Sequence, residues 1–416
     1  MKKRILLVTN GFPFGESERG FLSEEVKCLA KKFELLVFAL ENGEELLYPT
    51  DGIAKIFRYS FSLFRDAFNV DALLRLVQPD TMAEVWHLLK KHDFSGTARC
   101  IKAVLSFRFH AWEMERKIGE IVQTERIDLV YTYWCNECTL AAVHLKKHFP
   151  YLKVITRFHG FDLYEERTEL AWQMFRKKIT EGADGLCFAC EQGKSYFTKH
   201  WGAEATDKIH LCYLGSVDRG LIAAQRPNCL RIISCANLIP LKRVELIVKA
   251  LAHLPKTMNV EWYHFGDGTE RKKLEQLAGE RLQNCHNIAW NFRGFIPNVM
   301  LVEEYRKLSP QLFVTTSSTE GGAPVSIQEA FSMGIPAIGT AVGGIPDLIL
   351  DGKTGFLLPQ DLEATDVANA ILRFAMLTNE QKNRMRMAAR EHWANKFDAK
   401  KNAEIFTAYL NELISS

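Results

Sequence analysis

The chain lacks the features that mark several large classes of protein. No apolar run approaches the ~18–20 residues needed to cross a bilayer as a helix. No charge of one sign dominates, because 53 Lys and Arg face 50 Asp and Glu, leaving +3. A nucleic-acid binder usually carries a strong basic excess, so that class is not expected. There is no internal repeat and no low-complexity tract. The start, Met-Lys-Lys-Arg-Ile-Leu-Leu-Val-Thr, pairs positive charge with apolar residues as a signal peptide does. Its apolar core is too short for one, and Asn10-Gly11 follows at once. It reads as a buried first strand opening into a turn, which points to the cytoplasm. Asp-x-Asp, the usual metal-bridging device for nucleotide sugars, is absent, and no metal is expected.

What remains is ordinary globular material, 416 residues with 47% hydrophobic and 25% charged. That length supports two cores. Ten cysteines include two C-x-x-C pairs, Cys135/Cys138 and Cys187/Cys190. The second pair reads as part of a strand, where a spacing of three points the thiols to opposite faces. Small buried hydrophobes in a reducing compartment are expected rather than zinc.

Short apolar runs alternate with amphipathic stretches. Strands are expected at 4–9, 34–39, 128–133, 152–157 and 185–190, then at 230–235, 259–265, 287–293, 311–315, 335–339 and 355–358. Helices are expected at 21–32, 136–148, 168–182, 243–253, 269–279, 299–307 and 325–333, with a last one at 399–414. Such alternation implies βαβ units and parallel sheets, an α/β fold with two Rossmann-like domains. The boundary is expected near 214–229, giving domains 1–218 and 229–398. Residues 55–116 break the alternation, with Phe57, Phe61, Phe64 and Phe68 on one expected helical face. This insertion either packs on the first domain, which its interspersed acidic residues favour, or lies on a membrane surface.

Five clusters carry chemistry. The first strand opens into Gly11 and Gly15, where backbone can approach a ligand. GxGxxG is missing there, so nicotinamide binding is not indicated. His159 follows the strand 152–157, at the crevice end of a parallel sheet. Lys242 and Arg243 stand at a helix start, where free NH groups and the dipole favour a diphosphate. That segment, 234–251, has no GKS or GKT and is not a P-loop. Glu320, Gly321 and Gly322 precede a helix beginning near Pro324, from which Glu329 could accept from a ribose diol. Gly343-Gly344 and Asp351-Gly352 form tight turns around a short helix.

Together these segments resemble the retaining glycosyltransferases of family four, with GT-B architecture. The resemblance rests on Leu-Ile-Pro-Leu-Lys-Arg at 238–243, His-Phe-Gly-Asp-Gly-Thr-Glu at 264–270 and Phe-Arg-Gly-Phe-Ile-Pro at 292–297. It rests equally on Glu-Gly-Gly-Ala-Pro-Val-Ser-Ile-Gln-Glu-Ala at 320–330 and on the run 343–356. The segment Arg-Phe-His-Gly-Phe-Asp-Leu-Tyr-Glu-Glu-Arg at 157–167 looks like the histidine loop of members that build bacterial surface polysaccharides.

The resemblance implies two sheets facing across a central cleft, the first domain taking the acceptor and the second the nucleotide sugar. It implies that the helix 399–416 crosses back to the first domain. It also implies a hexosyl transfer from a nucleotide diphosphate sugar to a saccharide or lipid-linked saccharide, with retention, no cofactor and peripheral membrane contact. Lys242 matches the diphosphate lysine, Glu329 the ribose glutamate, Glu320 with Gly321 and Gly322 the glutamate loop near the donor sugar, and His159 the histidine near that sugar. Gly15 falls in the loop meeting phosphate and acceptor, and Gly266 and Ile296 fall where the family contacts the base. Asn237 stands where the family has Arg, so either Arg243 substitutes or the site is weaker. Eight residues, not seven, separate Glu320 from Glu329, and counting back from Pro324 the usual glutamate position is Gly321. A phosphorylase of this architecture would need a much longer chain. A non-catalytic nucleotide-sugar or glycan binding subunit is the alternative.

Overall fold

The computed structural model describes residues 2–14, 18–40, 46–59, 70–91, 96–201, 206–223 and 229–416. They form two compact units, Met1–Cys212 with Lys400–Ser416, and Tyr213–Ala399. The division thus falls just before the segment expected to hold the boundary. Residues 213–218, assigned from sequence to the first domain, belong to the second unit. Their anchors explain this: Ser216 accepts from the Trp393 indole at 2.8 Å, and Asp218 takes Arg390 at 2.6 Å.

The first unit is built on a parallel sheet of β1 (Arg4–Thr9), β2 (Glu34–Ala39), β3 (Ile53–Arg58), β4 (Leu129–Thr132), β5 (Lys153–Phe158), β6 (Gly185–Phe188) and β7 (Ile209–Leu211). Its order is β3-β2-β1-β4-β5-β6-β7, reversing direction at β1. Strands β1, β2, β4 and β5 are almost wholly buried, as expected when helices cover both faces of a parallel sheet. The helix Glu137–Leu145 starts from a capping box: Asn136 accepts from Cys138 N at 3.0 Å, and Thr139 accepts from Asn136 N at 3.3 Å. The last helix, Ala399–Ser415, lays Phe406 and Leu410 into this unit's core beside Tyr131 and Ile155.

Four expectations change here. Phe57 lies on β3 and not on a helix, because residues 53–58 pair along β2. Phe61, Phe64 and Phe68 lie outside the described residues. The described helices after it are Val70–Leu76, Pro79–Lys91 and Thr97–Glu125, the last running nine residues past the expected end at 116. Cys187 is on β6, but Cys190 is past its end and caps the helix Glu191–His200, its Sγ accepting from Gly193 N at 3.3 Å. Of the stretch 168–182, only Arg176–Gly182 is α-helical.

The second unit carries β8 (Leu230–Cys235), β9 (Val260–Phe265), β10 (Ile288–Phe292), β11 (Leu312–Thr315), β12 (Ala337–Thr340) and β13 (Gly355–Leu358). The order β10-β9-β8-β11-β12-β13 again reverses in the middle, at β8. In such sheets the crevice outside the carboxyl ends at the reversal is where ligands bind. The loops after β8 and β11 both open there.

Candidate functional site

The second unit assembles its site from those two loops. Strand β8 ends at Cys235, and Ala236 N bonds Phe265 O at 3.0 Å. Gly266 has φ +131°, and a Cβ there would sit 2.0 Å from Ala236 O, so only glycine lets the two strand ends approach. Gly266 also bridges Gly294, next to half-buried Ile296, which packs on the core.

The chain then makes a 3-10 turn over Pro240–Lys242, and Arg243 in the left-handed region starts the helix Val244–Ala252. The Lys242 ammonium pairs with the Glu320 carboxylate, both partly buried. Arg243 turns the other way: its guanidinium donates to Thr316 O at 2.8 Å and Ser317 O at 3.1 Å. It ties the loop after β11 to the loop after β8. Asn237 is exposed.

Glu320 reaches Lys242 because its loop is clamped from behind. Gly343 has φ +54°, and a Cβ there would lie 2.3 Å from Glu320 O. Gly344 N bonds Gly322 O at 3.1 Å. Gly321 and Gly322 are partly accessible and lead to the helix Val325–Ser332.

Glu329, on that helix, is only 6% exposed. Its Oε1 accepts from Arg219 at 2.9 Å and from Asn298 Nδ2 at 2.8 Å. Arg219 also donates to Asn298 Oδ1. The Cys235 thiol at the end of β8 is pushed up to about 12, first by burial and then by the Glu329 charge. Nearby His264 donates from Nε2 to Ala236 O at 3.1 Å, and its Nδ1 accepts from Ser234 Oγ at 2.8 Å. Burial lowers it to about 4, so the ring is neutral at neutral pH.

His159 belongs to the first unit. Its Nε2 lies 3.0 Å from Tyr133 O, the geometry of an Nε2–H donor, which leaves Nδ1 as an acceptor. Burial, then the Arg157 charge, lowers it to about 3. Asp162 holds its loop by accepting from His159 N at 2.9 Å, Gly160 N at 3.0 Å and Cys135 N at 3.0 Å. The turn after β1 is also internally held: buried Glu18 accepts from Asn10, Gly11 and Phe12 N at 3.0, 3.0 and 2.7 Å. Gly15 lies outside the described residues. Among the described residues no group of three metal-ligating side chains occurs.

Sequence reasoning missed Arg219, Asn298 and Cys235. Arg219 stood in a stretch taken for a linker. Asn298 follows Ile-Pro in a segment noted only for the base, and a lone strand-end cysteine carries no signal by itself.

Two doubly wound units, each on a parallel sheet that reverses in the middle, are the GT-B architecture of glycosyltransferases. The sequence profile described as "Glycosyl transferases group 1" matches residues 225–392. N-acetyl-alpha-D-glucosaminyl L-malate synthase of Bacillus anthracis is 30% identical over 299 residues, covering 68% of this chain and 74% of that one. WcaL of Salmonella typhimurium, named for colanic acid biosynthesis, is 28% identical over 176 residues, or 41% of this chain and 42% of its own length. That match therefore spans less than half of the relative. Among solved structures, Anabaena HepE in complex with UDP aligns at TM-score 0.67 and 16% identity, covering 99% and 100% of the two chains. Sucrose-phosphate synthase of Thermosynechococcus elongatus aligns at 0.70 and 18%, covering 100% of each. The structural likenesses fix the fold. The chain belongs to the group 1 glycosyl transferase family.

Proposed function

We propose that the protein is a retaining, metal-independent glycosyltransferase of the hexosyl type. It moves a sugar from a nucleotide diphosphate sugar to a saccharide or lipid-linked saccharide, in surface polysaccharide synthesis at the cytoplasmic face of the membrane. The observation that carries this reading is a pair of held charges in the second unit: the Lys242 ammonium, paired with Glu320, and the buried Glu329 carboxylate, held by Arg219 and Asn298. A cation for the diphosphate and a buried carboxylate for the ribose are what such a donor requires at neighbouring points. The relatives named for sugar transfer support the same substrate class.

The chemistry is a substitution at the anomeric carbon. The bond to the diphosphate oxygen breaks, and the acceptor hydroxyl forms the new bond on the same face. Its proton passes to the departing phosphate oxygen. Negative charge grows on the leaving diphosphate, so Lys242 and nearby backbone NH groups favour the transition state over the ground state. Glu320 would exchange Lys242 for the donor sugar when diphosphate takes the ammonium. Neutral His159 would offer the sugar a hydrogen bond without a charge. Gly15, Gly321 and Gly322 would offer backbone NH groups, Arg243 would hold the site loops together, and Gly266 and Ile296 would border the base.

The test is a thermal-shift screen over uridine, guanosine and adenosine diphosphate sugars, followed by nucleotide release with saccharide acceptors. One donor should raise Tm and be consumed, chelator should leave turnover unchanged, and the product should keep the donor's anomeric configuration. No shift and no release with any donor would refute the reading. A Tm shift without turnover would favour a non-catalytic binding subunit, a reading that exposed Asn237 at the expected arginine position keeps in view.

A further inference from the structure

The geometry points to Arg219 and Asn298 as positioning residues that set this chain's preference for a ribose over a 2′-deoxyribose nucleotide. This deepens the donor reading and rests on Glu329 meeting the sugar of the nucleoside.

Three side chains form a closed ring of hydrogen bonds. Arg219 donates to Glu329 Oε1 at 2.9 Å and to Asn298 Oδ1, and Asn298 Nδ2 donates to the same Oε1 at 2.8 Å. The ring fixes the Asn298 amide, because one end must donate and the other accept. It also fixes the plane of the Glu329 carboxylate. A carboxylate offers about four lone-pair positions over its two oxygens. Both on Oε1 are filled by protein donors, and among the described residues Oε2 receives none. Oε2 is thus left with two acceptor positions on a side chain that is otherwise buried. A ribose offers two adjacent O–H donors to that oxygen; a 2′-deoxy sugar offers one.

The backbone under Arg219 is anchored for this task. Its carbonyl accepts from Arg306 at 2.7 Å, and Asp218 beside it accepts from Gly220 N at 2.8 Å and from Arg390. Arg219 and Asn298 lie 79 residues apart in the chain and meet here, bonded to each other and to the Glu329 carboxylate.

Without the ring, the Glu329 carboxylate can rotate and spread its acceptor positions. A ribose and its deoxy counterpart then meet a similar, looser partner. A site with a buried polar group aimed at a hydroxyl rejects the analogue lacking it strongly.

The experiment is calorimetric titration of the whole protein with UDP, GDP and ADP, then with the 2′-deoxy form of whichever binds. The wild type should prefer the ribonucleotide by about tenfold or more, as a lost hydrogen bond to a charged group implies. Arg219→Met and Asn298→Leu should each bring the ratio to roughly threefold or less, while Arg219→Lys keeps part of it. Should Arg219→Met fail to fold, Asn298→Leu and Arg219→Lys decide the matter. A purely structural role would weaken both nucleotides equally, and an unchanged ratio in folded variants would overturn the inference while leaving the donor site standing. A wild type that binds no ribonucleotide would instead bring down the donor reading, and this inference with it.

Discussion

At the scale of single residues, Lys242 is the sharpest test of the chemistry. Lys242→Ala should lower kcat by about 10²-fold or more, the usual cost of one lost donor to a developing oxyanion. Release of nucleoside diphosphate under saturating donor measures it, and normal turnover would remove Lys242 from the mechanism. A second prediction concerns acid. His264 drops from 6.5 to about 4 in the fold. Between those values the unfolded chain binds the extra proton and the folded one does not. Stability from this residue is therefore complete above pH 6.5 and falls as pH drops toward 4. His264→Asn should flatten the decline of the urea midpoint over that window; an unchanged slope would mean the ring is not held neutral. Lys242 and Glu329 could be nominated from sequence because each follows a strand-to-helix turn with recognisable chemistry. Arg219 was not, because its partner lies 110 residues away and the pairing exists only after folding.

At the scale of elements, periodicity found the buried strands and misread exposed ones. Strand β3 is only partly buried, so its residues lack the continuous apolar run that marked β1 or β5. Its single phenylalanine joined a helical spacing by coincidence. The C-x-x-C pair failed for a related reason. A helix cap ends the strand after Phe188, and cap chemistry at a cysteine has little sequence signature. The paired glycines after β12 read as a tight turn, but their function is to receive the Glu320 loop. Gly343→Ala forces a Cβ within 2.3 Å of Glu320 O at φ +54°, so loop or turn must move. We expect a loss of roughly 1–3 kcal/mol in stability and weaker donor binding, because the carboxylate shifts off Lys242. Gly279→Ala, in a helix with no atom within 4 Å of the new Cβ, should bind donor normally and serves as the control. Equal donor affinity in both variants would show that the glycine turn does not place Glu320.

At the scale of the whole molecule, the chain's last helix belongs to the unit that its first residues build. The resemblance pointed it to the first domain, but its partner side chains could not be read from sequence, since an amphipathic helix fits many surfaces. The structure gives it a definite task. Phe406 is 4% exposed, its ring 5.3 Å from Tyr131 and 4.4 Å from the Arg157 guanidinium. Arg157 in turn pairs with Glu25 at 2.7 Å, and both are buried. A buried ion pair of this kind depends on its surroundings, because water admitted beside it changes the balance of desolvation and attraction. Phe406 is therefore both a core filler and the lid on a charged pair. Phe406→Ala should cost about 3–5 kcal/mol, the range for removing a buried phenylalanine. Neighbouring Ile405, 68% exposed, should cost under about 0.5 kcal/mol when changed to alanine. Hydrogen exchange localises the effect: β4 and β5 amides should open sooner in Phe406→Ala, while those of β8 and β11 keep their protection. Equal destabilisation by the two substitutions, or faster exchange confined to the second unit, would show that the helix closes no part of the first unit's core.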